Sequence, residues 1–247
     1  MRLTNLDRQL YPNGVTKGDV VDYYRRVAPA ILPYLRDRAV TLFRAPSGVA
    51  ARAWYQTNCP GVPPSGRLAE VRGFRMCVID DVDDLVWAAQ LGTIEFHPFL
   101  VRVGAAEPDW LVLDLDPGDP AGMAECCDVA LALRERLPAS AWVKTSGSLG
   151  LHVLVPVAGM TFDETKAWAR ELAEDVPGVV TTQRRDARAG NVLVDWLQND
   201  PTRSIVAPWS LRATAWPTVS APVSWQEVET RGPLVFDWRT AAARLPE

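Results

Sequence analysis

Three observations predict an α/β fold for this 247-residue chain. Short apolar or alternating runs, bounded by Pro and Gly, recur along it at strand length. Between them lie longer segments with apolar residues at helical spacing, several opened by capping residues. One run, Trp110–Pro117, carries four apolar residues into two acids one residue apart, and a Pro-Gly then stops it. The composition, 48% hydrophobic and 23% charged, is that of an ordinary globular protein. Its length suits one large α/β domain, or two small ones sharing a core.

Taken in order, residues 1–15 are polar with turn signals at Tyr11-Pro12-Asn13-Gly14. Thr16 with Asp19 three residues on forms a short-armed capping box for a helix whose apolar positions are Val20, Tyr24, Val27 and Ile31. Pro29 and Pro33 are expected to kink or divide it. Ala39–Arg44 reads as a strand, residues 45–69 as loop-rich, and residues 75–79 as a second strand. Acids at 80–84 suit the first turn of a helix through Leu91, which gives them a structural task and no metal role. Residues 93–97 alternate, with Ile94 and Phe96 on one face and Glu95 and His97 on the other. The acid-bearing strand follows, then a helix expected to open at Asp119-Pro120 and run to about Leu137. Strands are expected at 141–145 and Leu151–Pro156, with the small-residue turn 146–150 between them. Thr161 and Glu164 make a second capping box, 179–183 a further strand, and Arg184, Arg185 and Arg188 a basic turn. Residues 192–197 form a strand with Leu193, Asp195 and Leu197 on one face. Beyond Trp216 the Pro- and Trp-rich tail has weak periodicity.

The net charge of −4 argues by itself against a nucleic-acid binder, but its distribution does not. Residues 1–60 hold nine basic against four acidic residues, a net +5, while residues 61–140 hold six against fourteen, a net −8. A basic part beside an acid-bearing strand suits an enzyme of polyphosphates, and equally a chance unevenness of solvated surface. No apolar run approaches the roughly 20 residues needed to span a bilayer, and the first residues lack a signal-peptide core. Cys59, Cys77, Cys126 and Cys127 show no C-x-x-C spacing and are expected to be reduced thiols of a cytosolic protein, with no zinc site or disulfide frame.

Alternate residues of a strand share a face, so Asp114 and Asp116 point together. Paired carboxylates repel unless a cation lies between them, and Mg²⁺ or Mn²⁺ is the usual one; the alternative is acids that cap the following helix. Asp195 is a third strand acid, costly to bury unless paired or metal-bound, and it can complete a two-metal site with ions about 4 Å apart. Arg188 and Arg212 flank it with guanidinium groups suited to triphosphate. In the turn, Ser146, Gly147 and Ser148 offer hydroxyl and N–H groups to phosphate oxygens. The only two histidines, His97 and His152, lie close to these features.

In combination and order, Asp114-Leu115-Asp116-Pro117, the run from Thr145 through Ser146-Gly147-Ser148-Leu149-Gly150 to His152, and Val194-Asp195-Trp196-Leu197-Gln198-Asn199 closely resemble the polymerase/primase domain of bacterial ligase D. That domain belongs to the archaeo-eukaryotic primase superfamily. The likeness extends from Asn5 through Arg212 and includes Leu10-Tyr11-Pro12, Thr16-Lys17 and the run from Ala207 to Arg212. It implies a primase-type catalytic core of mixed and antiparallel strands with flanking helices, plus a smaller N-terminal α/β part. The expected organisation is one polymerase/primase domain over 1–247, with an end-binding part at 1–75, a catalytic core at 76–215 and a tail at 216–247.

The implied activity is a metal-dependent, template-directed nucleotidyltransferase that extends primers at DNA breaks in non-homologous end joining, with ribonucleotides preferred and Mn²⁺ the strongest metal. By the same resemblance Asp114, Asp116 and Asp195 are the catalytic metal-binding acids. His97, Ser146, Gly147, Ser148, His152, Arg188, Gln198 and Arg212 are the nucleotide site. Asn5, Arg8 and Lys17 receive the 5′-phosphate of the downstream strand, and Trp54 and Tyr55 stack on DNA. Implied partners are DNA ends, nucleoside triphosphates, an end-joining ligase and a DNA-end-binding protein, in the bacterial cytoplasm at the nucleoid. The chain is then a stand-alone polymerase or an excised domain.

Three positions depart from the pattern. Leu149 stands where the family motif has Lys, and Phe43 and Thr57 likewise fall where relatives carry Lys. Lys144 is a candidate replacement cation if its strand aims it at the turn. The missing cation leaves a second function class open, a catalytically weak module that binds and bridges DNA ends. A third is a metal-dependent phosphohydrolase that releases phosphate without elongating a primer.

Overall fold

The computed structural model describes residues 2–245, which divide into two compact units. Unit 1 comprises residues 1–103, 204–220 and 236–247; unit 2 comprises 104–203 and 221–235. The boundaries expected at 75/76 and 215/216 both fall inside unit 1.

Unit 1 begins with α1 (Lys17–Leu35), whose Thr16 and Asp19 form the expected capping box. The helix runs undivided through Pro29 and Pro33, so of the kink or division expected there the division does not occur, and its apolar stripe from Val20 to Leu35 is buried. Burial of such a stripe outweighs the hydrogen bonds that two prolines remove. The strands are β1 (Ala39–Arg44), β2 (Trp54–Gln56), β3 (Leu68–Val71), β4 (Phe74–Val78) and β5 (Thr93–Pro98), with α2 (Val82–Gln90) between the last two. The sheet runs β2-β1-β4-β3, with β5 also pairing β1 antiparallel. Asp81 caps α2, and the buried Asp84 accepts from the Ser65 and Asp80 amides, so this acidic cluster is structural as expected.

The 45–69 segment is loop-rich as expected, with only β2 and the first two residues of β3 falling in it. The thiol expectation also fails for two cysteines: Cys59 and Cys77 are joined by a disulfide, with Cα atoms 4.9 Å apart. The Cys59 amide donates to the Arg75 carbonyl at 2.7 Å, which lays this loop along β4 and brings the sulfurs together. Cys126 and Cys127 are free and buried, and burial pushes their thiols up to about 12 and about 11.

Unit 2 holds β6 (Trp110–Pro117), α3 (Met123–Arg134), β7 (Trp142–Thr145), β8 (Leu151–Pro156), α4 (Phe162–Ala173), β9 (Val179–Val180), α5 (Arg185–Arg188), β10 (Val192–Asp195), a 3₁₀ turn (Trp196–Gln198), β11 (Pro222–Val223) and α6 (Trp225–Glu229). Its six-stranded sheet has the order β11-β7-β8-β6-β10-β9, antiparallel except for the short β9–β10 pair. Leu111, Leu113, Leu115, Val143, Val153, Val155 and Val194 are fully buried, and α3 and α4 pack against β6. Helix α3 starts after Gly122, later than the expected opening at Asp119-Pro120, because the Glu125 carboxylate accepts from the Gly122 amide at 2.7 Å and closes the first turn there. The expected 192–197 strand ends at Asp195, and Leu197 lies in the 3₁₀ turn. The chain returns to unit 1 with α7 (Trp238–Ala242), so the tail with weak periodicity carries three short elements. Among the described residues no helix is long and apolar enough to cross a membrane.

Candidate functional site

The register of unit 2 builds the acidic face. Lys144 on β7 lies opposite His152 on β8, His152 opposite Asp114 on β6, and Asp114 opposite Asp195 on β10. Directly opposed residues in antiparallel pairs share a face. The four side chains therefore stand in one row across four strands, with Asp116 two residues along β6 on the same side. Lys144 Nζ is 2.6 Å from His152 Nδ1, and His152 Nε2 is 3.2 Å from Asp114 Oδ1. Gln198 Nε2 donates to Asp114 Oδ2 at 3.1 Å. Burial alone would raise the Asp114 carboxyl, but the His152 ring, the Gln198 amide and the Lys144 charge together hold it below the usual range.

Asp195 behaves oppositely. Burial and then the Asp114 charge push its carboxyl up, against the Leu197 amide, Gln183 and Arg203, which lower it. Two facing carboxylates with one held up in this way form a site short of positive charge. All three acids offer hard oxygen donors, the set that Mg²⁺ and Mn²⁺ take, so the residues fit such an ion chemically. Among the described residues, however, no three His, Cys, Asp or Glu side chains are gathered as a ligand shell.

The turn between β7 and β8 is built on Ser146. Its amide donates to the Gly150 carbonyl at 2.9 Å, and its Oγ accepts from the Ser148 amide at 3.2 Å and the Gly150 amide at 3.1 Å. Gly147 sits at φ +74°, a conformation that costs other residues. A Cβ on Gly150 would meet the Leu115 carbonyl oxygen at 2.0 Å, so this position presses directly on the acid-bearing strand. Leu149 stands at the tip with 71% of its surface exposed. Lys144, the candidate replacement cation, is wholly buried, with its Nζ 2.6 Å from His152 Nδ1. Arg188 donates to the Gln183 side chain at 2.6 Å, and Gln183 is also among the groups that lower the Asp195 carboxyl, so the basic turn and the acid share this amide as a neighbour.

Unit 1 gathers a second cluster. Glu95 is buried between His97 (Nε2 to Oε2, 2.8 Å), Arg212 (Nε to Oε1, 3.3 Å) and the Ala213 amide (2.8 Å). Burial would raise its carboxyl, yet His97, Arg212 and the Ala213 amide hold it low. Arg212 is placed by the 209–212 segment, which three tyrosines clamp: Tyr23 donates to the Trp209 carbonyl, Tyr11 to the Arg212 carbonyl, and Tyr24 accepts from the Leu211 amide. Tyr55 is 59% exposed and stands edge-on to Phe43 at 4.8 Å and to His97 at 5.3 Å. Trp54 is half-buried, with Arg44 and Arg52 over its ring at 5.5 and 5.7 Å. Asn5, Arg8 and Lys17 also come together: the Arg8 amide donates to the Asn5 carbonyl, and the Lys17 amide to the Arg8 carbonyl at 2.8 Å. Burial, then the Arg8 charge, lowers the Lys17 ammonium.

Neither Glu95 nor Gln183 is marked as functional by the sequence alone. The alternation of 93–97 put Glu95 beside His97 and was the one available signal, whereas nothing local marks Gln183.

A model of the LigD primase-polymerase domain matches residues 16–247. The chain belongs to that family. It is 35% identical to the multifunctional end-joining protein LigD of Mycolicibacterium smegmatis over 246 residues, 92% of this chain and 32% of that protein. It is 28% identical to the bifunctional LigD of Bacillus subtilis over 258 residues, 99% of this chain and 42% of that protein. The chain thus spans about a third to two fifths of these relatives' length. The solved polymerase domain of Mycobacterium tuberculosis ligase D, in complex with DNA, superposes with a TM-score of 0.93 at 32% identity, covering 99% of this chain and 93% of that one. The mixed α/β architecture is that of the family.

Proposed function

We propose that this chain is a metal-dependent, template-directed nucleotidyltransferase that extends primers at DNA breaks and gaps, recognises a downstream 5′-phosphate, and serves non-homologous end joining. The observation that carries the reading is the row Lys144–His152–Asp114–Asp195, with Asp116 beside it and Asp195 short of positive charge. Asp114, Asp116 and Asp195 would hold Mg²⁺ or Mn²⁺. The ion would supply charge neutralisation at the triphosphate and the attacking oxygen.

The primer 3′-hydroxyl attacks the α-phosphate of a bound triphosphate and pyrophosphate leaves. The side chains position and neutralise, with no covalent intermediate on the protein. In unit 2, Ser146, Gly147, Ser148, His152, Arg188 and Gln198 are the proposed nucleotide contacts, with His152 and Gln198 also set against Asp114 and Arg188 held on Gln183. In unit 1, His97 and Arg212 are proposed nucleotide contacts, Asn5, Arg8 and Lys17 the 5′-phosphate contacts, and Trp54 and Tyr55 the stacking pair. Ribonucleotides, Mn²⁺, an end-joining ligase and a DNA-end-binding partner, at the nucleoid of a bacterial cytoplasm, complete the proposal.

Primer extension with Mn²⁺ on a 5′-phosphorylated gapped template tests it. Wild type is expected to extend while Asp116→Ala does not, and equal yields from the two defeat the enzyme reading. A second reading, an end-binding module that catalyses little, is favoured by the bare Leu149 tip and the burial of Lys144. It predicts tight binding of 5′-phosphorylated ends without extension.

A further inference from the structure

Among the described residues, Lys144 is the one buried ammonium group to which the proposed reaction gives no contact with substrate or metal. It is fully buried on β7, with His152 of β8 standing between it and Asp114 of β6. A charged ammonium has three donors and no acceptor. At 2.6 Å from His152 Nδ1 it can only donate, so Nδ1 carries the lone pair and the ring proton sits on Nε2. Nε2 in turn faces an acceptor, Asp114 Oδ1, at 3.2 Å. With the ammonium donating to Nδ1, Nε2–H is left to face Asp114, and donation runs along the row from Lys144 to Asp114. With Gln198 on Oδ2, the plane of the Asp114 carboxylate is set from two sides.

We infer that Lys144 is a positioning residue: it fixes the His152 tautomer and ring so that Nε2–H orients the Asp114 carboxylate toward a divalent cation. Lys144 touches neither substrate nor metal in this account. It places a positive charge behind the acid row in a chain whose phosphate turn carries Leu149 at its tip. Partners of this indirect kind commonly change metal affinity about 10- to 100-fold when removed. The inference rests on the proposed metal role of Asp114, while its first test does not.

The chain has only two histidines, so the ring ¹⁵N shifts of His152 can be read in the metal-free protein after assignment with His97→Gln. The expected result is the Nε2–H tautomer in wild type, and an Nδ1–H ring would overturn the inference. Lys144→Met removes the donor, and Lys144→Gln keeps one without the charge. Met is expected to release the tautomer and weaken Mn²⁺ binding, followed by electron paramagnetic resonance, about tenfold. Gln is expected to retain the tautomer and most of the affinity. If Lys144 merely filled space, apolar Met would be the better substitute, and Met equalling or surpassing Gln in both readouts overturns the inference. Should Met fail to fold, the wild-type shifts and the Gln variant still decide. A wild type that shows the Nε2–H ring yet extends no primer sinks the polymerase reading and leaves the tautomer assignment standing.

Discussion

Asn199→Ala tests how the acidic row is held. The register of β10 on β6 sets Leu193 opposite Asp116 and Asp195 opposite Asp114, so a continuing strand would bring residue 197 opposite Val112. The chain turns away instead, and the fully buried Asn199 amide takes the vacated place. Its Oδ1 accepts from the Val112 amide at 2.8 Å, and its Nδ2 donates to the carbonyls of Val112 at 2.7 Å and Trp196 at 3.1 Å. The side chain thereby completes the ladder and ties down the turn that carries Gln198 to Asp114. Truncation removes three hydrogen bonds worth about 1 kcal/mol each and strands buried backbone groups, for a total of about 3–5 kcal/mol. Against a usual stability of about 5–15 kcal/mol, such a loss is easily measured. Urea unfolding followed by tryptophan fluorescence gives the value. Asn199→Asp is expected to lose at least as much, since it sets a carboxylate oxygen against two carbonyls. A loss below about 1 kcal/mol for Ala would refute the ladder argument.

Three further outcomes are expected. Asp200, hydrogen-bonded by Lys166 at 2.7 Å, has its carboxyl lowered from 3.8 to about 2 by that bond, with Thr202 assisting. Because the folded value is depressed, its contribution to stability is complete above 3.8 and is lost as pH falls through 2; carboxyl NMR titration of Lys166→Met should return Asp200 toward 3.8. Gly150→Ala should cost several kcal/mol or abolish soluble expression, because its Cβ would meet the Leu115 carbonyl oxygen at 2.0 Å; near-wild-type thermal stability would contradict that contact. Lys17→Ala should weaken binding to 5′-phosphorylated ends, seen by fluorescence anisotropy, and spare unphosphorylated DNA; equal losses on both would remove Lys17 from the phosphate site.

What was legible in the sequence was what local physics decides. Thr16-x-x-Asp19 and Thr161-x-x-Glu164 announce helix starts because their caps are complete within four residues. Leu111–Asp116 announces a strand and a shared acid face because side-chain alternation needs no partner. Long-range pairing was hidden. The burial that carries α1 across Pro29 and Pro33, and the fold of the loop that joins Cys59 to Cys77, depend on residues far away in sequence. Lys144 shows the limit for the site. Its sequence distance from Ser146 suggested a free cation, and only the register of β7 on β8 reveals that His152 takes it. The tail was opaque for a related reason: segments of two to five residues are too short to carry a period.

The function proposed for this chain depends on template-directed nucleotide transfer at the Asp114, Asp116 and Asp195 face. The most direct measurement is Mn²⁺-dependent addition of one nucleotide to a gapped, 5′-phosphorylated duplex with each of the four templating bases in turn, for wild type and Asp195→Asn. The account predicts that wild type adds the complementary nucleotide in each case and that Asp195→Asn loses nearly all of this activity. Addition that ignores the template, or an Asp195→Asn protein as active as wild type, would contradict it.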